Sequence, residues 1–192
     1  MEPKANTHAA SSDGVQRVEI HTRQIELKGY QRSDGLYEVE ARMSDRKPHA
    51  FTTPWSGRTV LAYGATHDMG VRLVFDTDMT VHDVETFTHD APYPACFDGG
   101  KPFKALIGLS MKQGWTRAVN ECLPSASRCT HLKELLNPLA TVAFQSLTML
   151  RLGQPHQVDD NGRPLKIDSC FAYASHGPVV AQLWPEHSTA SP

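Results

Sequence analysis

The 192-residue chain holds four cysteines but no CxxC pair, and it has no cluster of lysine or arginine. It also lacks any apolar run near the roughly 18 residues that a membrane span requires. Without CxxC, the classical zinc finger and the thioredoxin-type redox motif are excluded. Lysine and arginine number 19 against 21 aspartates and glutamates, for a net charge of −2. A balance of that kind gives phosphate no basic face, so neither nucleic acid nor an anionic membrane is an expected partner. The opening stretch, MEPKANTHAASSDG, has no apolar core of the signal-peptide type, which sets the expectation of a cytoplasmic protein. In that reducing compartment four cysteines are thiols or metal ligands rather than a disulfide framework. Internal repeats, low-complexity linkers and coiled-coil heptads are missing as well.

At 40% hydrophobic and 21% charged residues, the chain is long enough for one sizeable core. The expectation is a single domain over residues 15–187, with small polar residues making disordered tails of 1–14 and 188–192. Period-two alternation in Val18–Thr22 and Tyr37–Met43, separated by Ser33-Asp34-Gly35, predicts a first antiparallel hairpin. Val71–Phe75 and Met79–Val84 extend the meander. Beyond Cys96 the period changes. Trp115, Ala118, Val119 and Leu123 repeat at helical steps, and Leu132, Leu135, Leu136, Leu139, Ala143, Leu147 and Leu150 form one apolar stripe. That stripe predicts a long helix, kinked or divided at Pro138. Ile167–Tyr173 and Val179–Leu183 flank His176-Gly177-Pro178 and read as a closing strand pair. Strands first and helices later define an α+β fold, an antiparallel sheet of N-terminal strands covered by C-terminal helices.

The chemistry-bearing residues sit at the ends of these predicted elements. His67 and Asp68 enter a strand, Cys96 leaves the sheet in PYPAC, and Cys129 and His131 open the Leu-rich helix in CTHL. Zinc and iron take thiolate, imidazole and carboxylate donors together, commonly four, and these three turns supply them. A helix start also favours a thiolate at Cys129, with Thr130 as the expected N-cap. The competing reading of each residue is structural: a buried thiol, a turn-capping aspartate, a packing cysteine. Cys122 and Cys170 are assigned to packing. His21, His49, His82, His89, His156, His176 and His187 are assigned to the surface.

The stretch Gly29–Leu36, then Val39-Glu40, Asp45-Arg46-Lys47, HDM, PYPAC, CTHL and Ile167–Cys170, resembles a proteobacterial domain-of-unknown-function family over residues 23 to 185. The family pattern carries glycine before the CTHL cysteine, where this chain has Arg128. The order His67-Asp68, two strands, Cys96, helices, Cys129 is also similar to the NifU-type iron–sulfur scaffold fold, in which cysteines occupy the three places. That resemblance implies a mixed Cys/His site at a sheet edge. An imidazole in the first place lowers the charge and softness of the site, so a single zinc or iron ion is expected rather than a cluster.

Three functions follow, in order. The first is a metal-binding domain using His67, Asp68, Cys96, Cys129 and His131 for zinc or iron. The second is a cysteine-nucleophile hydrolase or acyl-transfer enzyme, with Cys129 attacking, His67 or His131 as base and Asp68 orienting it. The third is a non-catalytic interaction module.

Overall fold

The computed structural model describes residues 14–54 and 56–190. The expected N-terminal tail therefore lies, apart from Gly14, outside the described residues, as do residues 191–192. The chain divides into two compact units, one ending at Thr148 and one beginning at Met149.

The first unit is built on a four-stranded antiparallel sheet in the order β1-β2-β5-β6. Its strands are β1 (Thr22–Gln31), β2 (Tyr37–Arg46), β5 (Ala65–Phe75) and β6 (Val81–Asp90); β3 (Phe51–Thr52) and β4 (Thr59–Val60) form a small separate hairpin. The turn between β1 and β2 falls at Ser33-Asp34-Gly35 as expected. Gly35 takes φ +86°, and the Asp34 carboxylate accepts the Leu36 amide at 3.2 Å. That turn pairs Gln31 with Tyr37 and so carries the ladder back to Thr22 opposite Arg46. Val18 and Ile20, expected in the first strand, instead precede it and are exposed.

Alternation decides the two faces of the sheet. Tyr37, Val39, Ala41 and Met43 of β2, with Met69, Val71, Leu73 and Phe75 of β5, are buried on one face. The opposite face is a ladder of ion pairs, in which Arg72 meets Glu40 at 2.7 Å and Glu85 at 2.6 Å.

Helices cover the buried face: α1 (Trp115–Cys122), α2 (Thr130–Glu134) and α3 (Leu136–Ser146); the short α4 (Thr148–Arg151) spans the boundary between the units and buries no residue. Leu132, Leu135, Leu136, Leu139 and Ala143 are fully buried against the sheet. Burying each leucine contributes roughly 1.5–3 kcal/mol. The leucine stripe is thus buried from Leu132 to Leu147 while Leu150 is exposed, and the expected long helix divides at Leu135 and again after Ser146 rather than at Pro138. Proline lacks an N–H and its ring collides with the carbonyl four residues back, so it is tolerated only in a first turn. Ending α2 at Glu134 puts Pro138 in the first turn of α3.

The second unit corrects the expected strand pair. Phe171–Tyr173 is a single 3-10 turn and Pro178–Leu183 is a helix, α5. Pro178 occupies the first helical position, where its fixed φ starts a helix. Ile167, Val180 and Trp184 make a small core with Tyr173 packed against it, and the His156 ring stands edge-on to Trp184 at 5.0 Å. Thr189 donates its amide to the Ser175 carbonyl at 2.9 Å, which holds that part of the expected C-terminal tail.

Candidate metal centre

The apolar stripe of β2 ends in an acid. Tyr37, Val39, Ala41 and Met43 are followed on the same face by Asp45, which is only 2% exposed. The register places Arg23 of β1 directly opposite Asp45 on one side and His67 of β5 opposite it on the other. These three side chains form one row across three strands, at the separation where cross-strand neighbours interact. Immediately beyond this row the β2–β5 register shifts, so the regular ladder stops at the site.

Each Asp45 oxygen accepts two hydrogen bonds. Oδ1 takes Arg23 Nε at 2.8 Å and His21 Nε2 at 3.2 Å. Oδ2 takes Arg23 Nη2 and His67 Nδ1, both at 2.9 Å. A carboxylate offers about four lone-pair positions, so all of Asp45's capacity is engaged. Arg23 reaches on with Nη1 to Glu134 of α2 at 3.0 Å, tying the sheet to the helix.

From above, α2 lowers His131 onto His67, with ring centroids 4.2 Å apart and planes tilted by 44°. Cys129 holds the N-cap position of α2, and Thr130, expected there, is the first helical residue. The Cys129 amide donates to the Gly99 carbonyl at 2.8 Å, and its sulfur lies 3.8 Å from the Met69 sulfur. Gly99 is required by this crossing, because a Cβ there would stand 2.8 Å from the Cys129 Cβ. Arg128 takes φ −130°, extended backbone that any residue adopts, so no glycine is needed at this turn. The Arg128 guanidinium instead donates to the Leu123 carbonyl.

The titration of these groups follows from their neighbours. Burial pushes the Asp45 carboxyl up, but the Arg23 guanidinium and His67 outweigh it and hold the group at about 2. Burial and the nearby His131 lower His67, keeping its imidazole neutral despite Asp45. Burial raises the Cys129 thiol, yet the His131 side chain and the amides of Leu132 and His131 bring it below the ordinary thiol value. In return the Cys129 sulfur raises His131 against the opposing effect of burial. Metal ligation demands neutral imidazoles and a thiolate, so the lowered His67 and Cys129 shift towards those states while the raised His131 shifts away from its own.

One ligand atom each from Asp45, His67 and His131 lies within 4.8 Å of the other two. The sequence-predicted residues are thus distributed unevenly. His67 and His131 meet at one end of the sheet, while the Cys129 sulfur hydrogen-bonds with His131 but stands outside the group whose ligand atoms lie within 4.8 Å of one another. Cys96 sits in the 3-10 turn Pro94–Asp98, whose following residue Gly99 contacts Cys129, and its side chain packs on the core. Asp68 faces away from His67, on the other side of the sheet, where Arg42 grips it through two bonds of 2.8 and 2.6 Å. Cys122 packs against the core as expected, whereas Cys170 is exposed. From the sequence Asp45 and Arg23 carry no site role, and His21 is assigned to the surface. The available signal was the acid occupying the fifth place of an otherwise apolar alternation, Tyr37 to Asp45.

No helix among the described residues is long and apolar enough to cross a membrane. No curated protein and no solved structure matches the chain. One family model matches residues 21–145, a span that runs from His21 through the sheet to α3 and contains every residue of this centre. The chain belongs to the family described as "Protein of unknown function (DUF2889)".

Proposed function

We propose that the first unit binds one zinc or iron ion at the end of its sheet. The observation that carries this reading is the cluster of Asp45, His67 and His131, a buried carboxylate and two half-buried imidazoles whose ligand atoms lie within 4.8 Å of one another. His67 and His131 supply the nitrogen donors. Asp45 supplies the carboxylate, releasing the long hydrogen bond to the 40%-exposed His21 to free a lone pair. Cys129, paired with His131, is the further donor, and the mixture of N, O and S suits zinc or ferrous iron over magnesium or calcium. Asp45 here does the work expected of Asp68. The likeness to the NifU-type scaffold belongs to the same proposal, with His67, Cys96 and Cys129 in its three places.

Elemental analysis of the purified protein tests the reading. Close to one equivalent of zinc or iron per chain is expected, and His67→Ala and His131→Ala should each lose it. If Asp45 only orients His67, Asp45→Asn weakens binding about 10–100-fold without abolishing it. Metal-free protein with undiminished thermal stability sinks the proposal.

A second reading is favoured by the mutual perturbation of Cys129 and His131, lowered and raised respectively. A thiolate beside an imidazole, with the His67–Asp45 pair behind it, supports nucleophilic attack on an acyl group. Under this reading Cys129 forms a covalent adduct with an activated ester in metal-free protein, and an inert thiol excludes it.

A further inference from the structure

Strand β1 forms one edge of the sheet: it pairs with β2, and among the described residues no strand pairs with its other side. Proteins blunt such edges with proline, bulges or charged side chains, because an open row of N–H and C=O groups is a template for another strand. Of these, β1 carries only charges, and they are of both signs, Arg23 and Lys28 with Glu26. Its ten residues, Thr22–Gln31, contain no proline, and their register with β2 is unbroken. Its edge-proximal charges alternate, with Glu26 and Lys28 two residues apart on the face opposite the core and 2.9 Å from each other.

We propose that β1 pairs antiparallel with β1 of a second copy, joining two four-stranded sheets into one of eight strands. In a two-fold pairing of this kind, directly opposed residues lie on the same face, so their numbers must sum to an even value. Two registers overlap the ten-residue strands almost completely. In the first, Glu26 opposes itself across the axis, placing two like charges side by side. In the second, centred on Leu27, Glu26 opposes Lys28 of the second copy, and Lys28 opposes its Glu26. The second register also places Ile25, which is 42% exposed, opposite Gly29 of the other copy, where no side chain competes for space. Thus the charge order rejects one register and selects the other, while the backbone groups of alternate β1 residues, those that point away from β2, provide the attachment.

Light scattering coupled to gel filtration, run over a concentration series on the full chain, tests the proposal. The wild type should dimerise. Glu26→Lys or Lys28→Glu alone converts both symmetric attractions into repulsions and should weaken the dimer by at least about tenfold. The double variant, carrying both substitutions, restores opposite charges in the same register and should restore the dimer. These positions are exposed on the surface, and far-UV circular dichroism checks that each variant keeps its fold. A wild type that stays monomeric up to its solubility limit overturns the proposal. So does a dimer that survives both single substitutions, or one that the double variant fails to recover.

Discussion

Replacing Asp45 by Asn removes one charge and keeps the shape, and its consequence can be worked from the bonds it breaks. The carboxylate accepts from Arg23 twice, from His67 and from His21, at 2.8 to 3.2 Å, and it is 2% exposed. Breaking a buried ion pair by removing one partner costs about 3–5 kcal/mol. Here the cost is smaller, because Arg23 is one-third exposed and retains Glu134. A loss of about 2–3 kcal/mol follows, or about 5–10 °C in melting temperature for a unit of this size. The pH dependence makes the test specific. Asp45 stands at about 2 in the folded protein against an ordinary 3.8. A lowered carboxylate stabilises the fold fully above its ordinary value and ceases to do so as pH falls towards its folded value. The contribution is on the order of 2 kcal/mol and should fade between about pH 4 and pH 2. Urea unfolding at pH 7 and at pH 2.5 should therefore show a wide gap between wild type and Asp45→Asn at neutral pH and a narrow one in acid. An equal gap at both pH values, or a gap below about 0.5 kcal/mol at neutral pH, refutes the assignment of Asp45 as a paired buried charge.

The remaining tests address its neighbours. Residue-resolved alkylation at neutral pH should label Cys129 several-fold faster than Cys122, whose thiol burial pushes up, and His131→Ala should slow Cys129 selectively. Equal rates for the two thiols would count against the imidazole–thiolate pair. Gly99→Ala places a methyl group 2.8 Å from the Cys129 Cβ and 3.2 Å from the Cys129 nitrogen and the Cys96 carbonyl. It should cost about 1–3 kcal/mol in thermal unfolding and displace the start of α2, and an unchanged melting curve would show that the crossing is looser. Gly70→Ala meets the Ala41 carbonyl oxygen at 2.4 Å and the Phe87 ring at 2.2 Å. Because the oxygen is backbone and cannot step aside, a loss of several kcal/mol or insoluble protein is expected, and wild-type stability would contradict the tight β2–β5 spacing.

Which parts of this arrangement were legible in the sequence depends on the kind of signal each carried. Alternation over Tyr37–Met43 and the Ser33-Asp34-Gly35 turn specify the first hairpin because side-chain period and turn chemistry agree there. The leucine stripe specifies a helical cover over the sheet. Pro138, however, marks the break only through the residue four positions earlier, so the division falls upstream of it. The closing strand pair does not form because short apolar segments fit helix, turn and strand alike, and in the second of them Pro178 starts a helix. At the site, His67, Cys129 and His131 announced themselves by residue type. Asp68 adjoins His67 in sequence, but neighbours along a strand point to opposite faces and only one of the two can reach the helices. Asp45 and Arg23 became visible once register was known, because their contact crosses strands and leaves no mark in local spacing.

Arg23 binds Asp45 at a sequence separation of 22 and Glu134 at a separation of 111. The first bond lies within one hairpin and can form as soon as β1 and β2 meet. The second closes most of the first unit into a loop, whose entropy must be met before the contact returns anything. Formation of the centre is therefore expected late in folding, after the sheet exists and when α2 docks. The His67–His131 stack would then serve as a clock for the final step, and a probe of that stack in stopped-flow refolding should lag behind the far-UV signal of the strands.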